Sequence, residues 1–283
     1  MLDAMLANLR RSAPLVHCIT NYVTANDCAN LLLACGASPI LADDPAEAAE
    51  IAAQCGALTL NLGTLSRQKL PAFFAAGQAA AARGRPVVLD PVGAGASALR
   101  TSTARQLLGA VRCTAVRANA SELRALAGQE APAHGVDAAP ADAVTGETLP
   151  ARLALAAAFA RQHRTIAAMT GALDLVTDGH RTYCIRNGHP LLCRVTGTGC
   201  MLSALVAAFL AANPDRPLEA AAAAVVCMGL AGEQAAQRMH GPDGTGSFRV
   251  YLIDAVSTLT PEQLAKGARY ELYKNDDAAL CRD

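Results

Sequence analysis

The sequence predicts an α/β fold, with a central, mostly parallel sheet covered by helices on both faces. Three observations predict it. Short apolar runs of strand length alternate with Ala-rich or amphipathic segments of helix length, the alternation that builds parallel sheets. The strand-like runs are apolar nearly throughout, as strands buried on both faces require. Several of them end in a polar or glycine-containing turn, and in open α/β sheets ligands bind beyond the carboxyl ends of the strands.

The elements follow in order. Ala57–Gly63 (ALTLNLG) reads as a buried strand ending in a glycine turn, and KLPAFFAAGQAAAARG as a helix stopped by Gly84. Pro86–Gly93 (PVVLDPVG) is a second strand with Asp90 at its C-terminal end. Cys113–Leu123 is a third strand running into an N-capped helix, and Arg164–Gly171 is a fourth. LDLVTDGHRTYCIRNG reads as a hairpin turning at Asp178-Gly179, because Asp-Gly supplies the positive φ that tight hairpins need. Asp43–Pro45 reads as a turn with a capping role. Gly128–Glu147, rich in Ala, Pro and Gly, reads as a surface excursion, and the polar tail from Tyr270 as loosely held. With no internal repeat and no shift in composition, residues 1–283 are expected to form a single domain.

Composition narrows the function. The formal net charge is +0, so no general field draws nucleic acid or an anionic membrane; a near-zero charge also suits association into an oligomer. The ten cysteines are scattered, with no C-x-x-C pair, which argues against a disulfide framework and against zinc. Most read as small buried residues in a reducing cytosol. The N-terminus lacks the apolar core of a signal peptide, and the Ala-rich helices carry charges or run short for a membrane span. A soluble, cytoplasmic protein is expected.

Candidate chemistry gathers at the strand ends. Gly197-Thr198-Gly199-Cys200 stands directly before an apolar helix expected to start at about Cys200. Glycines let backbone approach a ligand, and a helix N-terminus offers free N–H groups to an anion. Taken alone, the segment reads first as a tight turn before a core helix. Asp90 suits a divalent cation or a turn cap, and Glu122, after Asn119 and Ser121, suits a second acidic group or a first-turn charge. Arg117 suits a phosphate or a plain surface role, and Thr170 a phosphate oxygen or a strand-end turn. There is no G-x-x-x-x-G-K-[ST] and no G-x-S-x-G, so neither a P-loop nor a nucleophile elbow is present. GAGAS at Gly93–Ser97 lacks the spacing of a dinucleotide loop.

The ordered set Pro14–Glu50, LTLNLGTL, VVLDPVGAGAS, VRANASEL, TGALDLVTDG, VTGTGC and GSFRVYLIDAV closely resembles the hydroxyethylthiazole kinases of thiamine salvage, from about Leu15 to Leu264. The resemblance implies a ribokinase-like fold, transfer of the ATP γ-phosphoryl group to hydroxyethylthiazole, a Mg²⁺ requirement, and a homotrimer with thiazole pockets at subunit boundaries. It implies ATP contacts at Arg117, Thr170, Thr198 and Gly199, thiazole contacts at Gly197, Asn21, Gly63 and Leu41, and Mg²⁺ near Asp90 and Glu122. Leu41 stands where the family usually has Met, a swap that keeps apolar volume. The segment Gly241–Phe248 looks longer than the family's usual form.

Related kinases of this fold often carry GAGD, whose Asp takes the alcohol's proton; here Cys200 replaces it. The thiol either accepts that proton or orients the hydroxyl, and the loose transition state of phosphoryl transfer favours orientation. A kinase for another small alcohol, such as hydroxymethylpyrimidine or pyridoxal, and a ligand-binding protein without turnover are the alternative readings.

Overall fold

A computed structural model describes residues 2–129 and 148–275. In chain order its elements are α1 (Leu2–Ser12), β1 (Leu15–Ile19), α2 (Ala25–Cys35), β2 (Ser38–Ile40), α3 (Ala48–Gln54), β3 (Ala57–Asn61), α4 (Leu70–Ala82), β4 (Val87–Asp90), α5 (Ala98–Ala110), β5 (Ala115–Asn119) and α6 (Ala120–Leu126). They continue with α7 (Leu149–His163), β6 (Ile166–Thr170), β7 (Asp174–Thr177), β8 (Arg181–Ile185), a 3-10 turn (Pro190–Arg194), α8 (Thr198–Ala212), α9 (Pro217–Gln237), α10 (Thr245–Thr258), α11 (Pro261–Gly267) and β9 (Tyr270–Lys274).

The strands form one sheet in the order β2-β1-β3-β4-β5-β6-β7-β8-β9. From β2 to β6 every neighbour is parallel, and β7, β8 and β9 join antiparallel. The core lies in two layers, one on each face. One packs α1, α2, α8, α9 and α10 against the sheet, and the other packs α3, α4, α5, α6 and α7. Local sequence explains the elements. In α1, Leu2, Met5, Leu6 and Leu9 are buried at helical spacing, making one apolar stripe. The helices α8 and α9 are buried almost all round, so their sequences are apolar all round. At 21 residues and mean hydropathy 1.2, α9 is long and apolar enough to cross a membrane, longer than the sequence reading allowed for. Its burial within the core accounts for its composition.

The predicted strands and the Asp-Gly hairpin are present, and two further parallel strands, β1 and β2, precede them. Asp44 forms the expected turn, its Oδ1 accepting from Ala46 N–H at 2.8 Å. The tail differs from expectation. Tyr270–Lys274 is held as an edge strand paired with Arg181–Ile185, and the rest of the tail lies outside the described residues. So does most of the excursion at Gly128–Glu147.

Candidate active site

Register places the site. Ile19 lies beside Leu60, Asn61 beside Asp90, and Asn119 beside Thr170. The chain therefore leaves β1, β3, β4, β5 and β6 along one rim. The strand order reverses between β1 and β3, the switch point at which such sheets open a crevice. Asn21 follows one of these two strands and Asn61 ends the other.

The head of α8 points at that crevice. Its N-cap is Gly197, with φ 89°, and its first residue is Thr198, two residues earlier than the start predicted at Cys200. The first helical bond runs from Met201 N–H to Gly197 C=O at 2.8 Å. The N–H groups of Thr198, Gly199 and Cys200 therefore precede the hydrogen-bond ladder, and the 15-residue helix adds its positive dipole end. Both glycines sit at close approaches. A Cβ on Gly197 would collide with the Thr24 methyl group, and one on Gly199 with the Arg117 guanidinium. The Thr198 hydroxyl turns away, donating to Leu192 C=O at 2.9 Å, so that residue offers the site its backbone.

Beneath this loop Asp90 is fully buried. Its Oδ2 accepts from Asn61 Nδ2 at 2.8 Å and from Ser203 Oγ at 2.7 Å, and its Oδ1 faces Arg117 Nη1 at 3.3 Å. Arg117, on β5, is mostly buried, and its Nε has no partner, a donor left over for an anion. Glu122 is the third residue of α6 in a capping box with Asn119. Its carboxylate accepts from Gly93 N–H at 2.8 Å and Asn119 N–H at 2.9 Å. Burial pushes the Glu122 carboxyl up to about 7, against the pull of Arg117.

Toward the crevice, Asn21 Nδ2 donates to Asn61 Oδ1 at 3.0 Å and to Cys200 Sγ at 3.3 Å. Gly63 N–H donates to the same Asn61 oxygen at 2.9 Å. A Cβ on Gly63 would press on both amides, at 2.7 Å from Asn21 Nδ2 and 2.9 Å from Asn61 Oδ1. Cys200 is half-buried, and burial and then Asp90 push its thiol up, with Arg117 pulling the other way. At neutral pH it is a thiol, not a thiolate. Thr170 ends β6 half-buried, next to Gly171, whose N–H donates to Asp174 Oδ1 at 2.9 Å. Burial pushes the Asp174 carboxyl up to about 7.

The structure thus brings Asn21, Gly63, Asp90, Arg117, Glu122, Gly197, Gly199 and Cys200 together. Leu41 stands apart from this network, after the edge strand β2 and 44% exposed. Ser203 was not singled out from sequence, and Asn61 was read only as part of the Asn61–Thr64 turn expected to help shape the thiazole pocket. Ser203 is buried inside an apolar helix, and its one signal is a hydroxyl in MLSALVAAF. Asn61 lies in NLG, and its signal is a polar residue closing an apolar strand.

Among the described residues, no three or more His, Cys, Asp or Glu side chains gather into a metal cage. Asp90 and Glu122 suit a more limited role. Each carboxylate offers about four acceptor positions; Asp90 uses three and Glu122 two. This fits Mg²⁺, which keeps several waters and binds one or two carboxylates plus substrate phosphates.

A profile of the hydroxyethylthiazole kinase family matches residues 6–262. The chain belongs to this family. Hydroxyethylthiazole kinase of Clostridium acetobutylicum is 47% identical over 273 residues, 96% of this chain and 100% of that one. The protein of the same name from Cereibacter sphaeroides is 48% identical over 94% of this chain and 97% of its own length. Among solved structures, hydroxyethylthiazole kinase from Pyrococcus horikoshii superposes with TM-score 0.85 at 36% identity, covering 96% of this chain and 99% of that one. A ribokinase-like superfamily protein from Enterococcus faecalis, at TM-score 0.56 and 14% identity over 93% of this chain and 89% of its own, shares the fold. The hydroxyethylthiazole kinase fold described above is thus ribokinase-like.

Proposed function

We propose that this protein transfers the γ-phosphoryl group of ATP to the hydroxyl of 4-methyl-5-(2-hydroxyethyl)thiazole, in thiamine formation. One observation carries the assignment of roles. The free N–H groups at the head of α8 stand between a buried carboxylate–guanidinium pair and a thiol, in a crevice at the switch point of the sheet.

Phosphoryl transfer asks a protein for position and charge more than for covalent chemistry. The N–H groups of Thr198, Gly199 and Cys200 receive charge developing on the transferring group. Arg117 holds phosphate with the face not engaged by Asp90, and Thr170 borders the nucleotide. Gly197, Gly63, Asn21 and Leu41 bound the thiazole. Cys200 orients the acceptor hydroxyl. Asp90 and Glu122 would hold Mg²⁺, which when bound neutralises phosphate charge.

The working form is a homotrimer in the cytoplasm. Tyr22, Val23 and Leu41 support this assembly. They follow neighbouring parallel strands, so they leave the same rim as the site, and all are exposed apolar residues, Tyr22 at 78%. A second subunit on that rim would cover them and close the thiazole pocket.

Incubation with Mg-ATP and hydroxyethylthiazole should give the thiazole phosphate, detected by mass spectrometry. Hydroxymethylpyrimidine and pyridoxal, offered in parallel, should be poor acceptors. Equal turnover of either would displace the substrate assignment, and calorimetric binding without ADP release would favour a protein that binds without turnover. Asp90→Asn should raise the Mg²⁺ concentration needed for half-maximal rate several-fold; an unchanged metal titration in the folded variant would remove Asp90 from the metal's surroundings.

A further inference from the structure

We infer that Asn61 is a positioning residue. It locks the Asn21 amide so that an N–H is aimed at the Cys200 sulfur, and it ties that aim to Asp90. The inference rests on the role proposed for Cys200 and concerns what sets the thiol's orientation.

The argument starts from amide orientation. An Asn side chain has one acceptor end and one donor end, and its neighbours decide which way round it lies. At Asn61 both ends are fixed independently. Asp90 Oδ2 already accepts from the Ser203 hydroxyl and takes a second donor, so the Asn61 nitrogen faces it at 2.8 Å. Gly63 contributes a backbone N–H, so the Asn61 oxygen faces that group at 2.9 Å. Reversing the amide would set nitrogen against N–H and oxygen against carboxylate.

The orientation of Asn61 then dictates that of Asn21. The Asn61 oxygen accepts from Asn21 Nδ2 at 3.0 Å, while the Asn21 oxygen accepts from Thr24 N–H at 3.1 Å. An amide nitrogen has two hydrogens. One goes to Asn61, and the other faces Cys200 Sγ at 3.3 Å. The sulfur therefore accepts at this contact, and its own S–H points elsewhere. The three side chains in the middle of the chain of bonds are buried, while Gly63 and Cys200 at its ends are half-buried. Asn61 is 1% exposed, Asn21 4% and Asp90 0%, so water does not compete for them. Gly63 completes the arrangement, because a Cβ there would occupy the space of both amides.

This gives Asn21 a different task from direct donation to substrate, since both its hydrogens are spent within the protein. It also makes the thiol sensitive to Asn61 by two routes, the Asn21 amide that Asn61 holds and a side-chain contact of Asn61 with the sulfur itself. The donated N–H stabilises charge on sulfur, and loss of Asn61 leaves the Asn21 amide held only at its oxygen, by Thr24 N–H, so that its N–H is no longer fixed on Cys200.

The test reads the thiol directly and needs no turnover, so it stands or falls separately from the assignment of the substrate. Iodoacetamide labelling at one fixed pH, followed by peptide mass spectrometry, gives the rate at Cys200 relative to the exposed Cys193 in the same chain. Asn61→Ala and Asn21→Ala should each lower that ratio several-fold, and the double variant should lower it by less than the two effects multiplied. An unchanged or raised ratio in Asn61→Ala, or effects that multiply in the double variant, would overturn the inference. If Asn61→Ala does not fold, the isosteric Asn61→Asp serves in its place. Its effect on Cys200 should shrink on the Asn21→Ala background; an effect that survives there undiminished is plain charge repulsion and refutes positioning. In the variants that fold, kcat should fall in step with the labelling ratio. A fall in melting temperature alone would mark Asn61 as structural.

Discussion

In the proposed reaction Cys200 orients the acceptor hydroxyl, and its surroundings decide what it can do there. Burial and the nearby Asp90 keep the proton on sulfur. A neutral thiol is a poor general base at neutral pH, so orientation outweighs proton abstraction as its task. In a loose transition state the alcohol keeps its proton until late, and little base strength is needed. A carboxylate at this position would still meet the Asn21 N–H and would add a base. Cys200→Asp should therefore keep turnover at the wild-type level or above. Cys200→Ser should lose about tenfold in kcat, near 1.4 kcal/mol of barrier, because its shorter C–O bond draws the orienting group back from the acceptor. A coupled ADP-release assay measures both. Loss of turnover in a folded Cys200→Asp variant that still binds thiazole would mean that the side chain does not face the acceptor. At this scale the sequence was readable where chemistry shows as composition. Two glycines before a cysteine, an Asp closing an apolar strand, and an Arg within one all mark the site. Ser203, and the bond of Asn61 to Asp90, were not readable, because these pairs are 113 and 29 residues apart in the chain, and only the folded sheet brings them together.

Among the elements, the junction between the 3-10 turn and α8 carries most of the proposed phosphate contacts. The Gly197 φ of 89° turns the chain so that the helix begins beside Arg117. The contact is close enough that Gly199 cannot carry a side chain without moving the guanidinium. Gly199→Ala should therefore displace Arg117 from Asp90, lowering kcat/KM for ATP by at least about tenfold while leaving the melting temperature within a few degrees. Initial rates against ATP concentration, with a thermal melt, check this. Unchanged kinetics would show that the guanidinium moves without cost and plays no part in nucleotide binding. Helix boundaries were readable to within about a turn from their caps. The helix after β5 announced itself through Asn119 and Glu122, which form the capping box seen in the structure. The edge strand β9 was not readable. Tyr270, Glu271, Leu272 and Lys274 leave much of their surface to solvent, so the segment lacks the apolar run that marked the interior strands. The pairing of β9 comes from backbone bonds to β8 and from the ion pair of Arg186 with Glu271 at 2.8 Å.

For the molecule as a whole, the sheet's strand order explains how a chain without net charge can gather the polar groups of the proposed anion site. The five parallel connections bring polar strand ends to one rim, and the reversal between β1 and β3 opens that rim. Alternating segments in the sequence were enough to predict layers and a parallel sheet, but the order of strands depends on which helices cover which face. The same rim makes stability depend on pH. Asp174 is held at about 7 by burial, above its unfolded value of about 3.9. Between these values the native state binds more protons than the unfolded state, so this group's contribution falls as pH rises and is lost above about 7. Glu122 acts in the same direction. Glu233, lowered by its bonds with Arg269 and Gly188 despite burial, acts in the opposite one. A single melting curve therefore mixes signs, and the difference between two proteins isolates one group. Asp174→Asn keeps an oxygen for Gly171 N–H and removes the titration. Its melting temperature minus that of the wild type should rise steadily from about pH 4 to about pH 7 and then level off. A difference that stays flat across this range, or that falls, would show that Asp174 is not held protonated by the fold.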